Sequence, residues 1–238
     1  MNSEQAIFDN IQTVRARIAL ACDRIGRIPE TITLIAVSKG VSLEAIAQAS
    51  RNGLADFGEN RVQEAGLKIK EASFAAKWHF IGPIQTNKAA KVMELGFTLV
   101  HSVGSIKLAV LLNKAAQVCR KRQDILLEVN IGDESQKHGF RPGECRQALQ
   151  EAGQFENLKI RGLMCMGPAV ADPQEMRPYF RMARRLWEDF GSMTNQEQIL
   201  SMGMSQDFEV AIEEGATMIR VGRALFSTDL KQQRRSAG

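Results

Sequence analysis

Metal-ligating and redox-active side chains are scarce in this chain: its 238 residues contain three histidines, four cysteines and one tyrosine. Cys22, Cys119, Cys145 and Cys165 lack CxxC spacing and fall in periodic segments, which predicts buried, reduced thiols and argues against disulfides or a metal site. His79, His101 and His138 have no ligand spacing either. No apolar run approaches the ~20 residues that span a bilayer, and Glu4, Asp9 and Asn10 stand where a signal peptide carries an apolar block. A cytoplasmic protein without membrane association is expected. The formal charge of +4 is mild, and the basic residues lie on helix faces or between Lys231 and Arg235, which gives no support to nucleic-acid binding. Linkers rich in Pro, Gly or Ser are missing too, so a single domain is expected.

With 44% hydrophobic residues the chain can bury a sizeable core. After a leading amphipathic helix at about Glu4 to Ile25, apolar strand-like runs begin near Ile32, Leu54, Lys77, Phe97, Asp124, Leu158, Gln198 and Thr217. Helical patterns follow nearly all of them. Ser42 is placed to cap the first of these helices, and Gly53, Gly96, Gly153 and Gly215 to end helices in the C-cap role. Eight β/α periods within about 200 residues fit an α/β fold of the closed (β/α)8, TIM-type barrel better than a doubly wound open sheet. A Rossmann-type sheet should also carry GxGxxG after its first strand, and Ser38-Lys39-Gly40-Val41-Ser42 has no such pattern. The expected division is an N-terminal helix over 1–30, the barrel over 31–228 and a basic tail over 229–238.

Barrel enzymes work at the carboxyl ends of their strands, which makes those ends a short list of candidates. Strand one runs through Leu34-Ile35-Ala36-Val37, too apolar to be surface, into Ser38-Lys39-Gly40. An amine at such a mouth is expected to be partly desolvated and suited to Schiff-base formation with an aldehyde or ketone; a lysine snorkelling to water is the plainer alternative. Strand two ends at Asn60, strand three offers His79, strand four His101, strand five Glu128-Val129-Asn130 and strand six Gly162-Leu163-Met164-Cys165. Strand seven leads into Met202-Gly203-Met204-Ser205 and strand eight into Arg220-Val221-Gly222-Arg223. Barrels often hold phosphate between these last two loops. Gly203 lets a ligand approach the backbone, Ser205 offers a hydroxyl and begins a predicted helix over Phe208 to Glu214, and Gly222 with Arg223 offers amides and a positive charge. Singly, Ser205 reads as a helix cap and Gly222 as a turn. Jointly with Lys39 they describe a phosphorylated carbonyl ligand: pyridoxal phosphate, or a sugar phosphate bound through lysine as in aldolases.

Val37-Ser38-Lys39, Phe57-Gly58-Glu59-Asn60 with Val62-Gln63-Glu64, Trp78-His79-Phe80-Ile81-Gly82-Pro83-Ile84-Gln85 with Asn87-Lys88, Arg161-Gly162-Leu163-Met164, Ser201-Met202-Gly203-Met204-Ser205 and Arg220-Val221-Gly222 span nearly the whole chain. In type and order they resemble the pyridoxal phosphate homeostasis protein family. The resemblance implies a fold-type III barrel similar to the cofactor-binding domain of alanine racemase, with pyridoxal 5'-phosphate (PLP) held as an internal aldimine. It implies a role in vitamin B6 and amino-acid homeostasis. Carried over by position, Lys39 forms the aldimine, Asn60 lies near the pyridine ring, Met164 and Met204 line the site, Ser205, Gly222 and Arg223 hold phosphate, and Arg220 faces the pyridine nitrogen. Two departures stand out. Many members have Ser-Lys-Thr-Lys-Pro where this chain has Ser38-Lys39-Gly40-Val41-Ser42, and many have threonine at Arg223, whose backbone amide survives the exchange.

On that reading an arginine beside the pyridine nitrogen disfavours its protonation and leaves a poorer electron sink. Racemisation also needs an acid or base opposite the lysine. The chain ends soon after strand eight, Tyr179 falls between strands six and seven, and His79, His101 and Cys165 are expected to pack or hydrogen-bond within the barrel. The expected function is therefore a non-catalytic, monomeric PLP carrier or regulator, with PLP-dependent apoenzymes as recipients. The alternatives are a PLP-dependent amino-acid racemase or decarboxylase of the alanine racemase type, and a Schiff-base aldolase-like barrel.

Overall fold

Apolar runs alternating with amphipathic stretches resolve into eight strands, each followed by helix. The computed structural model describes residues 3–134, 136, 138–168, 170–193 and 198–227. Its strands are β1 (Thr33–Val37), β2 (Asp56–Glu59), β3 (Lys77–Phe80), β4 (Leu99–Val103), β5 (Gln123–Asn130), β6 (Leu158–Met166), β7 (Ile199–Ser201) and β8 (Met218–Val221). Every neighbouring pair is parallel, and β1 pairs with β8 as well as with β2, so the sheet closes as a barrel in sequence order. Its helices are α1 (Ser3–Asp23), α2 (Leu43–Arg51), α3 (Val62–Glu71), α4 (Ala89–Leu95), α5 (Ile106–Val118), α6 (Cys145–Ala152), α7 (Arg177–Met193) and α8 (Phe208–Glu213), and residues 223–227 are helical after β8. The tail expected over 229–238 lies outside the described residues.

Local chemistry accounts for most of the boundaries. Ser42 is extended and its hydroxyl accepts from the Ala45 amide at 3.2 Å, starting α2 as expected. Gly96 ends α4 in the left-handed conformation. Gly153 differs: it is right-handed, because its amide continues the helical pattern to the Leu149 carbonyl at 2.9 Å. The cysteines are free, but only Cys22 and Cys165 are buried; Cys119 and Cys145 are half-buried on the helical layer. Helix α1 lies across α2 and α8, held by Arg17 to Glu209 at 2.6 Å and Arg24 to Glu213 at 2.7 Å. Among the described residues no helix is long and apolar enough to cross a membrane.

Side chains alternate across a strand, and the two sets pack separately. Ala36, Phe57, Trp78, Phe80, Val100, Leu200 and Ile219 belong to the large core between sheet and helices. Ile35, Leu99, Leu126, Met164 and Met218 form a small apolar cluster inside the barrel. By the same alternation Asp56, His79, His101, Glu128, Ser201 and Arg220 point inward, so the interior is half polar.

Closure between β6 and β7 depends on one glycine. Gly162 has φ +141°, and a Cβ there would overlap the Ile199 carbonyl oxygen, to whose residue it is paired. Gly162→Ala should destabilise the protein by at least about 2 kcal/mol, adding backbone strain to a clash with the neighbouring strand. Urea unfolding measures this, and an unchanged midpoint would show that β7 can yield.

Candidate functional site

The carboxyl ends of β1, β2, β7 and β8 build the mouth expected from the sequence. β1 and β8 run side by side from the Thr33–Met218 pair to the Ala36–Val221 pair, so Lys39 and the Gly222 turn follow neighbouring strands. A Cβ on Gly222 would lie 3.2 Å from that of Val37. On the other flank the Ser38 amide bonds the Gly58 carbonyl at 2.9 Å, which carries the ladder past β1 and brings Asn60 to the rim. Lys39 itself is exposed, not partly desolvated. It lies beyond the last ladder bond, and Gly40 at φ +66° turns the chain outward. Asn60 is half-buried, and its Oδ1 is buried without a hydrogen-bond partner among the described residues.

The loops after β7 and β8 are stitched together by Ser205. Its Oγ accepts from the Gly222 amide at 3.3 Å and, more weakly, from the Ala224 amide at 3.5 Å. Ser205 is therefore not the expected helix start: α8 begins behind Asp207, whose carboxylate accepts from the Met204 amide at 2.6 Å. Gly203 at φ +90° lies flat on α8, where a Cβ would fall 2.5 Å from that of Ala211. Arg223 is exposed, and its amide has no partner among the described residues. Met204 stands 46% exposed on the rim, whereas Met164 is sealed in the interior apolar cluster.

Beneath the rim Arg220 is buried inside the barrel. One terminal nitrogen donates to the Ser201 carbonyl and to Ser201 Oγ, both at 2.9 Å, and the other to the Cys165 carbonyl at 3.2 Å and Met166 Sδ at 3.4 Å. That leaves Nε as its donor without an acceptor among the described residues. Burial lowers the guanidinium from its usual value, opposed by the nearby Cys165, Asp207 and Glu128, but an arginine remains a cation. Burial pushes the Cys165 thiol up, and Cys165 packs in the outer core. Tyr179 packs against that core as well. His79 and His101 hydrogen-bond within the barrel, as the sequence suggested.

Sequence reasoning assigned no role to two groups. Glu128 is 9% exposed, two residues beyond interior Leu126; burial raises its carboxyl, opposed by His138 and Arg220. Its only signal was a strand-end position. Lys68, on α3, is buried behind the β1 end: its amine donates to the Ser38 carbonyl at 2.7 Å, Glu59 Oε1 at 2.8 Å and Glu64 Oε1 at 2.6 Å. Glu59 also accepts from Ser38 Oγ at 2.6 Å, and Glu64 from the Gly40 amide at 2.6 Å. One ammonium thus holds both residues flanking Lys39. Burial raises Glu59 despite Lys68. Burial would raise Glu64 as well, but Lys68 and the Gly40 amide together bring it below its usual value.

Residues 3–229 match the family described as alanine racemase, N-terminal domain. The pyridoxal phosphate homeostasis protein of Aquifex aeolicus (strain VF5) is 41% identical over 221 residues, covering 92% of this chain and 96% of that one. The chain belongs to the pyridoxal phosphate homeostasis protein family. PipY of Synechococcus elongatus PCC7942, solved with PLP bound, is 34% identical with a TM-score of 0.79, covering 92% of this chain and 99% of that one. Alanine racemase of Clostridium difficile 630 shares the fold, with a TM-score of 0.68 at 16% identity over 91% of this chain and 56% of that one.

In this member of the family the Lys68 cluster generates a stability prediction. Lys68→Met leaves Glu59 and Glu64 facing each other without their shared cation, and should cost roughly 3 to 5 kcal/mol near neutral pH. The loss should shrink as the pH falls, because burial raises the Glu59 carboxyl above its usual value and it takes up a proton before an exposed carboxylate would. Denaturant unfolding at two pH values checks both. A loss below about 1 kcal/mol, the scale of an exposed pair, would mean that water reaches the carboxylates.

Proposed function

We propose that this protein holds PLP at the barrel mouth through Lys39 and serves vitamin B6 and amino-acid/keto-acid homeostasis without turning over an amino acid. The observation that carries the reading is the adjacency of an exposed lysine and a two-loop anion cup on paired strands β1 and β8. The names of the relatives and the PLP-bound PipY support it. Unused hydrogen-bonding capacity fits the cofactor: the buried Asn60 Oδ1, the Arg223 amide and Arg220 Nε have no partner among the described residues. When bound, PLP supplies an aldehyde that condenses with an amine and a ring that can accept electrons.

Each residue then has a task. Lys39 provides the amine. The Ser205 hydroxyl, accepting two amides, has its proton free to donate to phosphate, beside the Gly222 and Arg223 amides. Asn60 and Arg220 would orient the ring, and Arg220 beside its nitrogen would disfavour protonation there. Met164 forms part of the interior floor and Met204 part of the rim. An exposed linkage suits transfer to PLP-dependent apoenzymes. A cytoplasmic setting accords with the free cysteines. A monomer accords with exposed apolar side chains spread over α1 (Phe8, Leu20), α3 (Leu67), α5 (Val118) and α7 (Met182).

Lys39→Ala should abolish the borohydride-reducible PLP adduct, read by intact mass after reduction. An undiminished adduct in the variant, mapped to another lysine, would overturn the assignment. Noncovalent binding should persist in part, since charge-assisted phosphate contacts contribute about 1.5 to 3 kcal/mol each.

The second reading, a racemase or decarboxylase of the alanine racemase type, draws on Glu128 as an interior acid or base. Exchange of the alanine α-proton in deuterium oxide, followed by NMR on the PLP-loaded protein, separates the two. Exchange should be far slower than enzyme turnover. Racemisation at about 1 per second or faster, lost in Glu128→Gln, would replace the carrier reading with the enzymatic one.

A further inference from the structure

A chain of polar side chains crosses the barrel interior behind Arg220. Asp56 Oδ1 lies 3.0 Å from His79 Nε2, His79 Nδ1 lies 3.1 Å from His101 Nε2, and His101 Nδ1 lies 3.2 Å from Ser201 Oγ, which accepts from Arg220 at 2.9 Å. These groups come from β2, β3, β4, β7 and β8. His101 and Ser201 are fully buried, and His79 is 3% exposed. The Asp56 end lines a cleft of about 530 Å³ at the amino-terminal ends of β1 and β2, with Arg15 and Ile18 of α1 and Thr33 on its walls.

The chemistry of the groups sets the direction of every bond. Asp56 as a carboxylate can only accept, so His79 carries its proton on Nε2. A neutral His79 then accepts at Nδ1, which requires His101 to donate from Nε2. His101 in turn accepts at Nδ1 from the Ser201 hydroxyl, whose oxygen accepts from Arg220. All donors and acceptors along the row are used once. The reverse order needs a cationic His79 and makes Ser201 accept twice, leaving its own proton without an acceptor in a fully buried position, a costly arrangement. Burial, with His79 and Arg220 alongside, also lowers His101 well below its usual value and keeps it neutral.

We propose that Asp56, His79, His101 and Ser201 form a one-way hydrogen-bond relay that fixes the Arg220 guanidinium from behind and ties it to the floor cleft. Arg220 has no carboxylate within hydrogen-bonding distance among the described residues; Asp207 and Glu128 lie near enough to oppose the effect of its burial, and Asp56 anchors it from the floor through four aligned bonds. The relay's effect on the pyridine nitrogen rests on the PLP reading; its existence does not. Asp56, His79 and His101 are positioning residues, since none of them touches the rim.

Two measurements test it. In 15N-labelled, PLP-free protein, long-range proton–nitrogen correlation should show His79 and His101 as neutral Nε2–H tautomers near pH 7. An Nδ1–H tautomer or an imidazolium at either ring overturns the relay, whatever becomes of PLP binding. In Asp56→Ala the ring-nitrogen signals of His101 should also shift, although Asp56 touches only His79, and PLP affinity should fall roughly two- to tenfold with a displaced absorbance band. Asp56→Asn, which keeps an acceptor, should restore the tautomers. A response confined to His79 in folded Asp56→Ala protein would show an ordinary pair and no relay.

Discussion

Parallel pairing of β1 with β8 is the constraint on which the rest depends. A parallel strand must return by a crossover before it can pair again, so once β8 occupies the free side of β1, all eight strands point the same way and every following loop emerges at one rim. That places the turns at Lys39 and Gly222 after neighbouring strands on that rim. It also removes both sheet edges, leaving no strand to template association. The close approach of Gly222 to Val37 tightens the same seam.

Closure has a second consequence, since inward side chains must satisfy one another or go without partners. The protein handles its two buried cationic systems differently. Outside the barrel wall Lys68 is in direct contact with two carboxylates, so the cluster carries a negative excess that burial resolves by favouring a proton on Glu59. Its linkage therefore has opposing parts. The raised Glu59 contributes stability that is lost as pH rises through its folded value, whereas the lowered Glu64 contributes stability that is lost as pH falls through its own. Inside the barrel Arg220 donates only to neutral groups, with the Asp207 and Glu128 carboxylates nearby and Asp56 at the far end of the row.

Period and punctuation made the barrel legible in the sequence. Strand starts fall within two residues of the apolar runs, and Ser42 and Gly96 punctuate their helices by the expected chemistry. These signals act over one or two turns, so a local reading captures them. Ser205 was misread as a helix start because a hydroxyl before a helix looks the same whether it caps its own helix or reaches across to β8. Lys39 was expected to be partly desolvated because the strand behind it is apolar, yet it lies past the end of β1, next to left-handed Gly40, and is exposed. The Lys68 cluster and the row from Asp56 to Arg220 join residues from separate strands and helices, and only the three-dimensional register brings them together.

This distribution of order suits a carrier. Releasing a cofactor calls for an accessible linkage, and retaining it calls for a rigid seat. Here the two requirements fall on different layers. Lys39, Met204 and Arg223 at the rim are exposed, while Arg220, one layer down, is held by three hydrogen bonds to buried Ser201 and Cys165 and a fourth to half-buried Met166. Opening the rim therefore need not loosen the floor. An enzyme of the same fold has the opposite need, because a solvent-exposed linkage forfeits the low-dielectric surroundings that strengthen transition-state electrostatics. On the proposed reading, an arginine fixed from behind by neutral partners would turn its charge toward the ring and give the ring nitrogen no proton. On that reading the arrangement that seats the cofactor would also make its ring a poorer electron sink, and any amino-acid chemistry there would further need an acid or base opposite Lys39.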